Sequence, residues 1–131
     1  MSESTPLRAI FYLRLSVNGH EESTSIQRQR DDLDGLARER GWSVVEVLVD
    51  DGISGGIARQ NADRALSMLR DREADVLAVW KFDRWSRQGV SAVAALADVI
   101  DQRRDALFVA LRDGWDSSSK PRSTDGRMAW R

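Results

Sequence analysis

Short apolar runs alternate with segments of helical periodicity along this chain, and this alternation constrains the fold more than any other feature. Residues 8–15, 43–49, 76–80 and 106–111 are rich in β-branched and aromatic side chains and predict strands. Residues 25–40, 61–72 and 89–104 repeat apolar residues at helical spacing and predict helices. Residues 113–123 are polar and predict a loop.

Strands that alternate with helices are typical of α/β domains with a mainly parallel sheet. The predicted strands are apolar almost throughout, as expected when helices cover both faces of a sheet. We therefore predict a sheet of about four to five strands between helical layers, with right-handed crossovers. At 131 residues, the chain is long enough for one domain with its own core.

The first predicted helix has clear start and stop residues and one anomaly. Ser23, Thr24 or Ser25 can cap its N-terminus, and Gly41 ends it. Its inward stripe places an amide, Gln29, among apolar residues at positions 26, 33 and 36. A buried amide needs hydrogen-bond partners, and a site at the edge of the sheet would supply them.

Composition excludes several classes of site. There is no cysteine, so disulfides, thiol nucleophiles and cysteine-ligated zinc are excluded, and the single histidine, His20, cannot build a multi-histidine metal site. The net charge of −1 is not that of a self-sufficient DNA-binding domain. The N-terminus lacks the apolar core of a signal peptide, and no apolar run could span a bilayer, so a cytoplasmic protein is expected.

Reactive side chains from separate segments follow the predicted strands at their carboxyl ends. Open α/β sheets bind ligands at that edge. Arg14 and Ser16 end the first strand and, two residues apart, point the same way in extended chain. The other candidates at this edge are Gln29, Ser54 within the glycine-rich residues 52–56, Arg59, Asp83, Arg84 and Arg87.

Each candidate also has a structural explanation. A serine at a strand end is commonly a turn residue, and Asp83 could cap a following helix. Arg84 and Arg87 could form surface ion pairs, and residues 52–56 could be an ordinary loop. Their joint occurrence at one edge favours a functional site.

One serine, several arginines, an aspartate and no usable histidine suggest phosphate chemistry. Guanidinium groups stabilise the charge that develops on the oxygens of a phosphodiester under attack. An arginine beside the serine could also favour its alkoxide. Metal-assisted hydrolysis needs clustered carboxylates, for which Asp50, Asp51 and Asp83 are a thin set.

The motifs resemble those of serine site-specific recombinases, the family of resolvases, invertases and large phage integrases. The sequence YLRLS at residues 12–16 resembles the Y-x-R-x-S nucleophile motif of that family, and SIQRQ at 25–29 resembles its next stretch, with the active-site glutamine at Gln29. GISG at 52–55 is similar to its G-x-S-G loop, and Arg59 to the arginine that opens its second helix. WKFDRWSR at 80–87 resembles its D-R-L-x-R segment. The matches follow the family order from about Leu7 onward.

The resemblance implies a resolvase-like three-layer fold and a mechanism. Ser16 would attack a DNA phosphodiester and form a 5′-phosphoserine link, with Arg14, Arg84 and Arg87 holding the phosphate. Asp83 would orient these arginines or help protonate the leaving oxygen, and Gln29, Ser54 and Arg59 would support the site. No cofactor and no metal is implied, the partners are recombination-site DNA and further copies of the protein in a dimer or tetramer, and no membrane is involved.

The chain departs from the family pattern at several positions. Trp85 replaces the usual leucine, and Gln60 stands where many members carry proline, so Arg64 competes with Arg59 for the supporting role. The long helix that carries a further catalytic arginine and builds the dimer would begin near Thr124. We therefore expect residues 1–131 to be a catalytic domain without that helix and without the DNA-binding domain, inactive and monomeric or weakly associated alone.

Two other classes of function remain open. One is a non-catalytic α/β DNA-accessory or regulatory module with the same fold, against which the set of Arg14, Ser16, Asp83, Arg84 and Arg87 argues. The other is a metal-dependent nuclease, which sensitivity to chelators would reveal. Within the recombinases, the long and divergent residues 54–59 favour a large integrase over a small resolvase.

Overall fold

The computed structural model describes residues 5–15, 25–50 and 55–118, and these form strands and helices in alternation. Ser16 and Ser54 lie outside the described residues. The elements in chain order are β1 (Arg8–Arg14), α1 (Ile26–Arg40), β2 (Ser43–Asp50), α2 (Gly55–Arg70), β3 (Val76–Val79), α3 (Asp83–Ser86), α4 (Val90–Gln102), β4 (Leu107–Ala110) and β5 (Trp115–Asp116).

The strands form one sheet in the order β2-β1-β3-β4-β5. Strand β1 pairs in parallel with both β2 and β3, β3 pairs in parallel with β4, and only β5 is antiparallel. The predicted α/β fold with a mainly parallel sheet is therefore confirmed. Because every parallel strand ends at the same edge, the register brings Arg14 at the end of β1 beside Asp50 at the end of β2.

Helices cover the sheet on both faces, which explains why its strands are apolar throughout. On one face, α2 and α4 pack over alternate strand residues such as Ile10, Tyr12 and Leu77. On the other face, α1 packs over Ala9, Phe11 and its neighbours. The molecule is therefore the three-layer arrangement that the sequence predicts.

The ends of α1 follow the predicted chemistry. Ser25 is the N-cap, and its side chain accepts a hydrogen bond from the backbone N–H of Arg28 at 3.1 Å. Gly41 ends the helix with φ at 75°, a left-handed conformation that glycine adopts without steric cost.

Two predictions of secondary structure were wrong. Helix α2 begins at Gly55 and not at residue 61, and part of the predicted loop at 113–123 forms β5. Residues 83–86, for which the sequence predicts no element, form the short helix α3. Glycine lowers helix propensity, so the sequence pattern hides the first turn of α2. Helices and strands as short as α3 and β5 carry too few residues to show a period.

An ion-pair network ties three elements together at the amino ends of the strands. The carboxylate of Asp75 accepts hydrogen bonds from the Arg8 side chain and backbone at 2.9–3.1 Å and from Arg103 Nη2 at 2.7 Å. Arg103 Nη1 also donates to the carbonyl oxygens of Leu69 and Ala74. The network therefore joins β1, the α2–β3 connection and the end of α4, far from the carboxyl edge. Among the described residues, no helix is long and apolar enough to cross a membrane.

Candidate active site

A cleft of about 480 Å³ opens at the carboxyl edge of the sheet, between α2 and α4. Three arginines from separate segments line it: Arg14 at the end of β1, Arg59 in the first half of α2, and Arg87 just after α3. The remaining lining residues are mostly small, so the arginines dominate the chemistry of the cleft. An arrangement of this kind suits an anionic ligand.

Arg14 is held at the cleft by a buried carboxylate. Its Nη1 lies 3.1 Å from Asp50 Oδ2, and the same oxygen accepts a hydrogen bond of 2.7 Å from the Tyr12 hydroxyl. Asp50 is fully buried, whereas the Arg14 side chain keeps 17% exposure. Burial and the neighbouring Asp50 carboxylate raise the pKa of Tyr12 well above its usual value, so the hydroxyl stays protonated and donates. The carboxylate therefore fixes one end of the guanidinium and leaves the rest to face the cleft.

Gln29 clamps the backbone at the end of β1. Its Nε2 donates to the carbonyl oxygen of Arg14 at 2.9 Å, and its Oε1 accepts from the Arg14 N–H at 3.3 Å. The side chain is fully buried, and the contact links α1 to the strand two residues before Ser16. The buried amide of Gln29 therefore has hydrogen-bond partners at the edge of the sheet, as predicted. Both partners are backbone groups of Arg14.

Asp83 and Arg84 lie beside the cleft on α3. Asp83 is the first residue of the helix, whose N-cap is Phe82, so Asp83 is not the cap. Its Oδ1 accepts a hydrogen bond of 2.8 Å from Arg84 Nη1. Arg84 is 94% buried, and its Nε has no hydrogen-bond partner within the described residues. These two residues are not among those that line the cleft.

The indole of Trp80 supports Arg84. The Arg84 guanidinium carbon lies 5.4 Å from the centre of the Trp80 ring, within cation–π distance. The indole Nε1 in turn donates a hydrogen bond of 2.8 Å to Asp32 on α1. Trp85, next along the chain, is fully buried and meets Tyr12 edge-on with ring centres 5.2 Å apart, so its replacement of leucine is accommodated by packing.

The two arginines that compete for the supporting role occupy different places. Arg59 lines the cleft together with Arg14 and Arg87. Arg64 points away from it, with its Nε 3.3 Å from the Glu46 carboxylate and 54% of its side chain exposed. The geometry therefore brings Arg59, and not Arg64, to the other arginines.

Ser16 and Ser54 lie outside the described residues. Leu15, the residue before Ser16, continues the pairing of β1 with β2, because its N–H donates to the Asp50 carbonyl oxygen at 3.0 Å. The described chain before Ser16 therefore ends at the carboxyl edge of the sheet, where Arg14 lines the cleft.

Two of the three carboxylates considered for a metal site have other partners, and the third, Asp51, lies outside the described residues. Asp50 binds Arg14 and Tyr12, and Asp83 binds Arg84. In the described ranges, no group of three or more histidine or acidic residues is placed to hold a metal ion. These contacts give the two aspartates the role of anchoring arginines.

Sequence reasoning missed two residues of the site. The sequence predicts Asp50 only as a possible metal ligand, because its pairing with Arg14 depends on the order and register of the strands. It predicts Trp80 only as a strand residue, because no local pattern indicates that the ring contacts arginines four and more residues away.

The fold and the arginine-lined edge define the class of the protein. Residues 9–128 match the family described as the Resolvase N-terminal domain, and the chain belongs to that family. It is thus a catalytic domain of the serine recombinases, a family whose activity is site-specific recombination.

Three solved structures are similar to this chain. The N-terminal catalytic domain of TP901-1 integrase shares 27% identity with a TM-score of 0.67, over 91% of this chain and 85% of that one. The catalytic domain of ISC1926 TnpA, an IS607-like serine recombinase, shares 28% identity with a TM-score of 0.56, over 73% and 64%. A resolvase-family site-specific recombinase from Streptococcus pneumoniae, at 21% identity and a TM-score of 0.68 over 87% and 78%, shows the same fold.

Proposed function

We propose that this domain cuts and rejoins DNA by transesterification, with Ser16 as the nucleophile. The Ser16 oxygen forms a bond to the scissile phosphorus while the bond from phosphorus to the 3′ oxygen breaks. The product is a 5′-phosphoserine link and a free 3′-hydroxyl, which takes up a proton. Attack by the 3′-hydroxyl of a partner strand reverses the step and releases the serine, so the reaction needs no external energy source.

The observation that carries this proposal is the convergence of Arg14, Arg59 and Arg87 on one cleft at the end of β1. A phosphodiester under attack gains negative charge on its non-bridging oxygens. Fixed guanidinium groups stabilise that charge without reorganising during the reaction. The cleft therefore suits a phosphate that is attacked by Ser16, the residue that follows Leu15.

The residues around the cleft position Arg14 and support the phosphate in the proposed reaction. Asp50 and Gln29 position Arg14 and the strand end, and Arg84 contributes a further cation from α3. Asp83 orients Arg84 or, in the proposed reaction, helps to protonate the leaving oxygen. Ser54 supports the phosphate from the glycine-rich residues 52–56, and Arg59 does so from the cleft.

Within the family, we assign the domain to the large serine integrases. The long, divergent residues 54–59 favour that group, and the likeness to the TP901-1 integrase domain supports it. The proposed substrate is a pair of recombination sites in cytoplasmic DNA. Dimers and tetramers would form through the helix expected from about Thr124, and most DNA affinity would come from a further domain beyond residues 1–131.

The decisive experiment looks for a covalent protein–DNA adduct. The full-length natural protein that carries this domain is incubated with supercoiled DNA containing its sites and then denatured. An adduct that survives denaturant is expected for the native sequence, and none for Ser16→Ala.

Two controls separate the alternatives. Adduct formation should persist in a chelator, since the proposed reaction uses no metal, whereas a metal-dependent nuclease would lose activity. An adduct that remains in Ser16→Ala would rule out this serine as nucleophile. Absence of any adduct from the native protein, with site binding intact, would favour a DNA-accessory module.

A further inference from the structure

In the part of the chain that the structure describes, the cations without an ion-pair partner form two groups at opposite edges of the sheet. Within the described ranges, Arg38, Arg70 and Arg104 have no carboxylate within 4 Å and lie at or just after the ends of α1, α2 and α4. Cations at helix C-termini are stabilised by the helix dipole, so these three are explained. The second group, at the carboxyl edge, has no such explanation.

That second group comprises Arg59 and Arg87 in the cleft and two further residues, Lys81 and Arg112, on the opposite face of the sheet. Lys81 follows β3 and Arg112 follows β4, so both stand at the edge where the strands end. The cleft accounts for the first two. The proposed reaction gives no role to Lys81 and Arg112.

Lys81 and Arg112 gather around the same indole ring as Arg84. Lys81 Nζ lies 5.8 Å, and the Arg112 guanidinium carbon 5.7 Å, from the centre of the Trp80 ring. The ring itself is fixed, because Trp80 is 6% exposed and bonded to Asp32. We call Trp80, Lys81, Arg84 and Arg112 the indole cluster.

The carboxylates beside this cluster bind partners other than Lys81 and Arg112. Asp32 accepts from the indole and pairs with Arg28 at 4.0 Å, Asp83 pairs with Arg84, and Asp113 accepts from the backbone N–H of Phe82 at 2.7 Å. Lys81 and Arg112 make no ion pair among the described residues, and Arg112 is exposed. Lys81 and Arg112 therefore stand around one ring without an ion pair to either, and an external anion would reduce the repulsion between their charges.

We propose that the indole cluster binds the DNA backbone at a phosphate beside the scissile one, through Lys81 and Arg112. Arg84 of the cluster lies on α3, and Arg87, which lines the cleft, directly follows that helix, so a backbone that enters the cleft on the α2–α4 face can continue over the edge to Trp80. Trp80 holds the two cations in place by its ring face, which costs them little freedom when the phosphate binds. This inference rests on the proposed function only in taking DNA as the substrate.

The test is the salt dependence of the affinity for duplex DNA. It is measured in the full-length protein with Ser16→Ala, so that binding is observed without cleavage of the DNA. Each phosphate contact contributes roughly 0.9 to the slope of log affinity against log salt concentration. Lys81→Gln with Arg112→Gln, which keeps the packing stems, should lower that slope by about two and weaken binding about equally for all sequences. Arg38→Gln with Arg104→Gln removes the same charge at the opposite edge and should leave the slope unchanged.

A second measurement uses the absence of cysteine from residues 1–131, with any cysteine elsewhere in the full-length protein replaced by serine. A photo-crosslinker attached at Arg112→Cys should label the DNA backbone, and the same reagent at Arg104→Cys should not. Equal slopes for the two double variants, or equal crosslinking from both positions, would overturn the inference. Either result leaves the Ser16 adduct test unaffected, so the two proposals fail separately.

Discussion

Asp50 determines how one cation of the site is presented. Arg14 and Asp50 are partners in the register of β1 and β2 and also form an ion pair. The pairing of the two strands therefore sets the position of the Arg14 guanidinium. A guanidinium held at one end loses little freedom when its other donors bind a phosphate. We therefore regard Asp50 as a positioning residue for Arg14.

Asp50→Asn should leave a folded protein that reacts slowly. The amide keeps a hydrogen bond for Tyr12 but removes the charge that faces Arg14, which should cost about 1–3 kcal/mol in free energy of unfolding. Misplacing Arg14 should slow adduct formation by at least about tenfold. Urea unfolding and the rate of adduct formation measure the two effects.

Asp71→Asn is the matched control, because Asp71 is an exposed carboxylate just after α2 and does not line the cleft. It should change the free energy of unfolding by no more than about 0.5 kcal/mol. If Asp50→Asn matched this control in both stability and rate, the positioning role would be wrong.

Individual residues of the site were predictable only where a motif or a period marks them. The inward position of Gln29 follows from helical spacing, and Arg14 follows from its place at a strand end. The choice between Arg59 and Arg64 was not predictable, because it depends on where α2 begins. Two glycines in the first turn conceal that start.

The elements differ in how strongly the local sequence specifies them. Helix α1 has a capping serine, an apolar stripe and a terminating glycine, and its bounds were predicted to within one residue. Short elements such as α3 and β5 are fixed by tertiary contacts, because β5 exists only through its antiparallel pairing with β4. Sequence period therefore predicts the layers of this fold better than its connections.

Two glycines of α1 should respond in opposite ways to alanine. Gly35 is inside the helix, and a Cβ there would meet only Arg38 Nη2 at 4.0 Å, so Gly35→Ala should stabilise the protein by about 0.5–1 kcal/mol. Gly41 has φ at 75°, so Gly41→Ala should destabilise it by about 1–2 kcal/mol despite the open space around it. Thermal or urea unfolding of the pair checks the signs, and equal signs would contradict the helix boundaries.

At the scale of the whole molecule, the sheet has a stabilising edge and a reactive edge. The network of Arg8, Asp75 and Arg103 lies where the strands begin, and the cleft lies where they end. Burial raises the pKa of Asp75, but hydrogen bonds from Arg8 and Arg103 outweigh it and lower that pKa to about 2. The ionised carboxylate is thus preferred in the folded state.

This shift predicts an acid-dependent loss of stability. Because the folded pKa of Asp75 lies below its unfolded value of 3.8, its contribution is complete above about pH 4 and is lost as the pH falls towards 2. The contribution amounts to about 2 kcal/mol. Urea unfolding between pH 2 and pH 6 should show this loss in the native sequence and a flatter profile in Asp75→Asn, and parallel profiles would contradict it.

The separation of the two edges also bears on how such a domain can change during evolution or in the laboratory. Lys81 and Arg112, the residues proposed to contact DNA at the carboxyl edge, form no ion pair with the Arg8, Asp75 and Arg103 network among the described residues. Substitutions at the two edges should therefore have additive effects on stability. Variants with altered DNA binding can be sought by randomising Lys81 and Arg112. A protein stabilised near the Arg8, Asp75 and Arg103 network would tolerate the loss of stability that such substitutions cause.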